Sequence, residues 1–183
     1  MPNDFNFSNT GHTSVLVMPP KNNGEFAFVN KVPEFGNVFY TGSPDHTNDS
    51  NGYMYLINIG VKNSELFNMS IGGLCTGTCY EFSAYLANVV KLFDSPKPNI
   101  RFEVRPTDDT SVVAQYNTGE ISQFGDLTWC KYAVSFRAPN QSVKLLLITN
   151  VGGENGNDVA IDDIELRVCS NKTTASCFQR KYI

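Results

Sequence analysis

From Cys79 onward the chain alternates: Tyr80, Phe82, Ala84 and Leu86 stand in one phase, Glu81, Ser83 and Tyr85 in the other. A period of two is what a half-buried antiparallel strand requires, one face on a core and one turned away. Similar runs precede and follow it. Thr13 to Met18 is β-branched and stops at Pro19 and Pro20, Glu25 to Asn30 reads as a second strand, and Tyr53 to Asn58 and Glu65 to Ile71 are two more. Phe5 and Phe7 alternate near the start, and Val38, Phe39 and Tyr40 suit a brief pairing between Pro33 and Pro44. Ile100 to Val104 is a strand with Ser111 to Tyr116 as its expected hairpin partner and Asn117, Thr118 and Gly119 as a turn. Trp129 to Phe136 follows, and Val143 to Thr149 is apolar almost throughout, which suits a central strand. Strands thus recur roughly every ten to fifteen residues and no window has a helical period, so the chain reads as all-β, an antiparallel β-sandwich.

The final strand carries an anomaly. Val159 and Ile161 share one phase, Ile164, Leu166 and Val168 the other, and the change falls at Asp162 and Asp163. A local kink or bulge is expected there. Two neighbouring carboxylates in an apolar strand lose hydration if buried, so either a cation neutralises them or they point to solvent at a sheet edge. Residues 44–52 present Asp45, Thr47, Asn48, Asp49, Ser50 and Asn51 ahead of Gly52, an oxygen density that suits Ca2+ and equally suits a solvated Asx-rich turn. It is not an EF-hand, since aligning Gly52 with the turn glycine puts Thr47 first and Asn58 where the bidentate Glu belongs.

At 183 residues one domain is the natural reading, with residues 1–169 as the sandwich and 170–183 as a C-terminal extension. A charged fraction of 17% is low for a soluble domain, and a net charge of −4 without a basic cluster argues against nucleic acid and anionic membrane as partners. No apolar run is long enough to insert in a bilayer, and Met1 to Asp4 does not open a signal peptide, so the chain reads as a mature or excised piece. Cys75, Cys79, Cys130, Cys169 and Cys177 lack zinc-type spacing and read as disulfide formers in an extracellular protein, secreted or at a cell surface. Connectivity stays open on sequence; the favoured arrangement joins Cys75 to Cys169, with Cys177 in a local loop. Sequons at Asn6, Asn48, Asn68, Asn140 and Asn171 permit glycosylation.

Several of these segments together resemble the galactose-binding-like jelly-roll superfamily, in particular modules related to MAM domains and to carbohydrate-binding modules of bacterial surface proteins. The segments are Asp45-His46-Thr47 with Asn51-Gly52-Tyr53-Met54, Leu74-Cys75 with Tyr80 to Tyr85, Pro98 to Glu103, Gly125 to Trp129, and Gly156 to Ile164. They keep the family's order over roughly residues 40 to 169. The resemblance implies a structural Ca2+ held between an early loop and the last strand. Asp162 would be its side-chain ligand, with Asp45 and the backbone of Thr47 facing it and Asn51 and Asp163 as further candidates. Relatives place a Glu after an aromatic near the N-terminus, where this chain has Phe5-Asn6.

The only histidines are His12 and His46, and no Gly-x-Ser-x-Gly elbow is present, so the expectation is a protein that is not an enzyme. Pairs of acids such as Glu81 with Glu103 fit any search for a glycosidase and discriminate nothing. Tyr40, Tyr53, Tyr55, Tyr85, Tyr116 and Trp129 supply candidate sugar platforms; Trp129 reads as a core residue, and Tyr85 and Tyr116 as ligand-binding. The expected function is non-catalytic carbohydrate binding or adhesion, its partner a glycan or an extracellular protein. The rival is a structural subunit of an extracellular fibre, matrix or coat, a homo-oligomer or filament assembled through the extension that carries Cys177, Phe178 and Tyr182.

Overall fold

The computed structural model describes residues 10–15, 19–109, 111–153 and 156–169. Its strands are β1 (Thr13–Ser14), β2 (Glu25–Val29), β3 (Met54–Ile57), β4 (Glu65–Ile71), β5 (Cys79–Asn88), β6 (Asn99–Arg105), β7 (Ala114–Glu120), β8 (Cys130–Arg137), β9 (Val143–Thr149) and β10 (Val159–Val168). They form a six-stranded sheet in the order β1-β2-β3-β10-β5-β8 and a four-stranded sheet in the order β4-β9-β6-β7. From β3 onward the chain crosses to the other sheet at every connection except the β6–β7 hairpin. With β3-β10-β5-β8 over β4-β9-β6-β7, this is the double Greek key of a jelly roll. Every pairing is antiparallel except β1 with β2.

The alternating phases account for the core. Tyr80, Phe82, Ala84 and Leu86 face the other sheet and pack with Phe102, Val104, Leu145 and Leu147. A second apolar cluster lies on the opposite side of the six-stranded sheet, where Ala27, Val29, Met54, Leu56 and Ala160 meet Val32, Phe39, Val89 and Val90. Phe39 makes a bridge to Val90, the brief pairing expected of that segment. Strand β9 sits between β4 and β6, as its apolar run implies.

Strand β10 changes register between Asp162 and Glu165, and Asp163 has a φ of 45°. The bulge absorbs the phase change, so that Val159 and Ile161 before it and Ile164 and Leu166 after it all pack on the main core. Asn117 to Gly119 do not form the expected turn. They belong to β7, whose register slips between Asn99 and Arg101 while Gly119 takes a φ of 70°, so the turn-like residues are taken up within the strand.

The expected Cys75–Cys169 bridge is corrected. Cys169 bonds Cys79, and Cys75 is free and exposed. Strand register explains this, for Tyr80 lies opposite Val168 on adjacent antiparallel strands, which brings Cys79 and Cys169 face to face with Cα atoms 5.4 Å apart. Cys130 is also disulfide-bonded. Cys177 and the 170–183 extension, like the Phe5/Phe7 segment, fall outside the described residues.

Candidate functional site

Two surfaces gather polar side chains that the sequence scatters. The first lies where loop 44–52 meets β10. Asp45 is buried, and its Oδ1 accepts the Asp49 N–H at 3.1 Å, with the Thr47 hydroxyl 3.4 Å from both carboxylate oxygens. Any side chain at Gly52 would collide with this carboxylate, so the glycine keeps the loop closed over it. The His46 N–H donates to Asp162 Oδ2 at 2.9 Å and the Asp163 N–H to Asp162 Oδ1 at 2.8 Å, while His46 Nδ1 lies 2.7 Å from Asp163 Oδ2. Burial is the largest influence on Asp162 and raises its pKa; the two N–H bonds oppose this, and the charges of Asp163 and Asp45 add to the rise. The loop and the last strand therefore bring Asp45 and Asp162 within electrostatic reach of each other.

The His46 ring stacks on Tyr85 with centroids 3.4 Å apart, and Trp129 meets it edge-on at 6.2 Å. One face of Tyr85 is thereby occupied. Trp129 is half-buried and packs with the second cluster on the outer side of the six-stranded sheet, not in the core between the sheets. Asn51 is exposed and donates its N–H to Asp49.

The donor set suits a hard divalent cation in part. Asp45 and Asp162 offer carboxylate oxygens of the kind such a cation takes and, among the described residues, make no ion pair with Lys or Arg. Asp163 instead turns its carboxylate to His46. No group of three or more His, Cys, Asp or Glu side chains that would hold a metal occurs among the described residues, so backbone or hydroxyl oxygens of the loop would complete such a site. Of the sequons, Asn48 and Asn140 are exposed, Asn68 donates its side-chain N–H to Glu65 at 2.6 Å, and Asn6 and Asn171 lie outside the described residues.

The second surface is the outer face of the four-stranded sheet. Period-two geometry puts Arg101, Glu103 and Arg105 of β6 on that face, opposite Ile148, Leu146 and Lys144 of β9. Glu103 is only 3% exposed and is held on both sides, by Arg101 Nε at 2.5 Å and by Arg105 Nη2 and Nε at 2.5 and 2.7 Å. The row continues sideways. Arg101 Nη1 donates to Asn150 Oδ1 at 2.8 Å, and Asn150 Nδ2 donates to Asn99 Oδ1 at 2.8 Å and to Asn117 Oδ1 at 3.0 Å. Asn117 and Gln115 are exposed, and the two arginines are partly so. Tyr116 is exposed too, on edge strand β7 opposite Phe102, so it has the inward phase. The Arg-x-Glu-x-Arg spacing is the sequence signal for this row, since charges two apart on a strand share a face. Glu81, by contrast, lies in the other sheet and pairs with Lys131 at 3.0 Å.

No family model matches this chain, and no curated protein matches it in sequence. Solved structures do. A Stig cyclase from Fischerella sp. TAU, in complex with an indole derivative, is 15% identical, with 81% of this chain and 78% of the cyclase covered at a TM-score of 0.54. A structure titled "CBM4 structure and function" is 17% identical, with 63% of this chain and 71% of that one covered at a TM-score of 0.47. The C-terminal domain of EclA, named a sugar-binding protein, is 17% identical over 64% of this chain and 80% of its own, at a TM-score of 0.49. What the cyclase shares with this chain, at its TM-score of 0.54, is the fold. Cyclases stand among these structures, so the fold does not decide between binding and catalysis.

Proposed function

We propose that this chain is a non-catalytic extracellular module that binds a glycan over the outer face of its four-stranded sheet. The supporting observation is the row from Arg105 through Glu103, Arg101 and Asn150 to Asn99 and Asn117. Planar guanidinium and amide groups locked to one another at known angles lose little freedom on binding, and sugar hydroxyls need such fixed donors and acceptors. A guanidinium carries five N–H donors, and the bonds to Glu103 and Asn150 use only part of them. The Cys79–Cys169 bridge fits an oxidising compartment. No helix among the described residues is long and apolar enough to cross a membrane.

A structural Ca2+ would be held by Asp45 and Asp162 with oxygens of loop 44–52. Its chemistry there is to neutralise two carboxylates that repel each other, and so to fasten the loop to β10. The function is tested on a glycan array with the intact chain and an Asn117→Ala variant, an exposed amide at the end of the row. A saccharide hit that weakens about fivefold in the variant, the worth of one hydrogen bond, supports the assignment. Absence of any hit contradicts glycan binding, and a hit indifferent to Asn117 and lost with Tyr85→Ala contradicts the placement on this sheet.

A further inference from the structure

We infer that the glycan read by this sheet is acidic, its ring carboxylate taken by Arg105 and Arg101. The inference rests on the proposed glycan binding and names the class of saccharide. Its basis is a charge count along β6, where two guanidiniums share the single carboxylate of Glu103. Among the described residues, the other charged side chains on the strands of this sheet are engaged elsewhere. Lys144 pairs with Asp109 and Glu120 with Lys97, and Glu65 on β4 accepts from Asn68, with β9 standing between it and β6. Along β6 itself, among the described residues, two guanidiniums thus stand against one carboxylate, on a protein whose net charge is −4.

Geometry makes these guanidiniums selective. Glu103 is almost fully buried and fixes both guanidinium planes, while Arg101 and Arg105 keep side-chain exposures of 24% and 29%. Leu146 and Ile148, directly opposite Glu103 and Arg101, are buried apolar neighbours that exclude water from one side of the row. A partly desolvated guanidinium binds a planar two-oxygen anion through paired charge-assisted hydrogen bonds, which neutral hydroxyls match less well. The amides of Asn150 and Asn117 lie further along the row, where the ring hydroxyls of the same or the next sugar fall.

The test uses the full chain and uronate-containing polysaccharides, namely polygalacturonate, alginate, glucuronoxylan and hyaluronan, each set against its carboxyl-reduced form. Reduction replaces the carboxylate by a hydroxymethyl group and leaves ring stereochemistry intact. At least one acidic form should bind about tenfold or more tighter than its reduced partner by calorimetry, the scale of one charge-assisted pair. That preference should shrink as salt is raised, and should collapse in Arg105→Gln. Arg105→Lys keeps the charge but not the fork, and retains only part of the preference even if Arg105→Gln folds poorly. Equal binding of acidic and reduced forms, or array hits confined to neutral sugars, overturns the acidic assignment and leaves glycan binding standing. Failure of every saccharide on the array overturns both.

Discussion

Glu103 and Asp158 are both nearly buried carboxylates, at 3% and 6% exposure, and the fold answers them in opposite ways. Glu103 sits mid-strand on β6 with an arginine two residues away on either side, so the strand itself delivers its counter-charges. Asp158 precedes β10, flanked by Asn157 and Val159, and its Oδ1 has no hydrogen-bond partner among the described residues. Burial pushes its pKa up to about 7. Asp45 and Asp162 stand between these cases, bonded by loop and strand N–H groups without an arginine or lysine among the described residues. These buried carboxylates thus sit in three settings: one between two arginines of its own strand, one without a bonding partner among the described residues, and two bonded by N–H groups where loop 44–52 meets β10.

The contrast can be broken at Glu103 first. Glu103→Ala leaves two guanidiniums side by side without their anion, and urea unfolding should show a loss of about 3 kcal/mol or more, the cost of removing one partner of a buried pair. A loss below ~1 kcal/mol would mean that solvent already screens the arginines.

Asp158 should behave in the opposite sense. Its folded pKa lies above the unfolded value of 3.8, so between about pH 4 and 7 the folded chain keeps a proton that the unfolded chain has released. The stability linked to that proton is complete below about pH 4 and is lost as pH rises through about 7. Asp158→Asn should therefore stabilise by roughly 2–4 kcal/mol at pH 8 and by little at pH 4, as thermal melts at the two values would show. A variant equally destabilised at both would place a needed partner on Asp158.

Asp45 and Asp162 sharpen the middle case. If a calcium ion answers their repulsion, adding it at about a hundred times its Kd should stabilise the chain by about 2.7 kcal/mol, and Asp162→Asn should abolish the response. A melting temperature indifferent to chelator would leave the loop fastened by His46 and backbone N–H groups alone.

The layout of strands was largely legible, because alternation and apolar runs state directly which face is buried. The bulge at Asp162 and Asp163 was legible for the same reason: an inward phase cannot change without an extra residue. Contacts that depend on strand order were not. His46 reaches Asp163 across 117 positions and stacks on Tyr85 only because β10 and β5 are neighbours, and Cys79 displaces Cys75 as the partner of Cys169 through register. The Arg101–Glu103–Arg105 row was present in the spacing. Its value appears only once β6 is known to be interior to the four-stranded sheet, with Asn150 and Asn117 brought alongside.

The two surfaces are best separated by NMR titration with a saccharide found on the array, because Trp129, the single tryptophan, marks the loop 44–52 surface and the Nε–H groups of Arg101 and Arg105 mark the four-stranded sheet. Binding on the four-stranded sheet shifts the Arg101 and Arg105 Nε–H and the Asn117 and Asn150 side-chain amide signals and leaves the Trp129 indole N–H in place. A shift of the indole signal with the arginines unmoved would put the ligand beside His46 and Tyr85 instead.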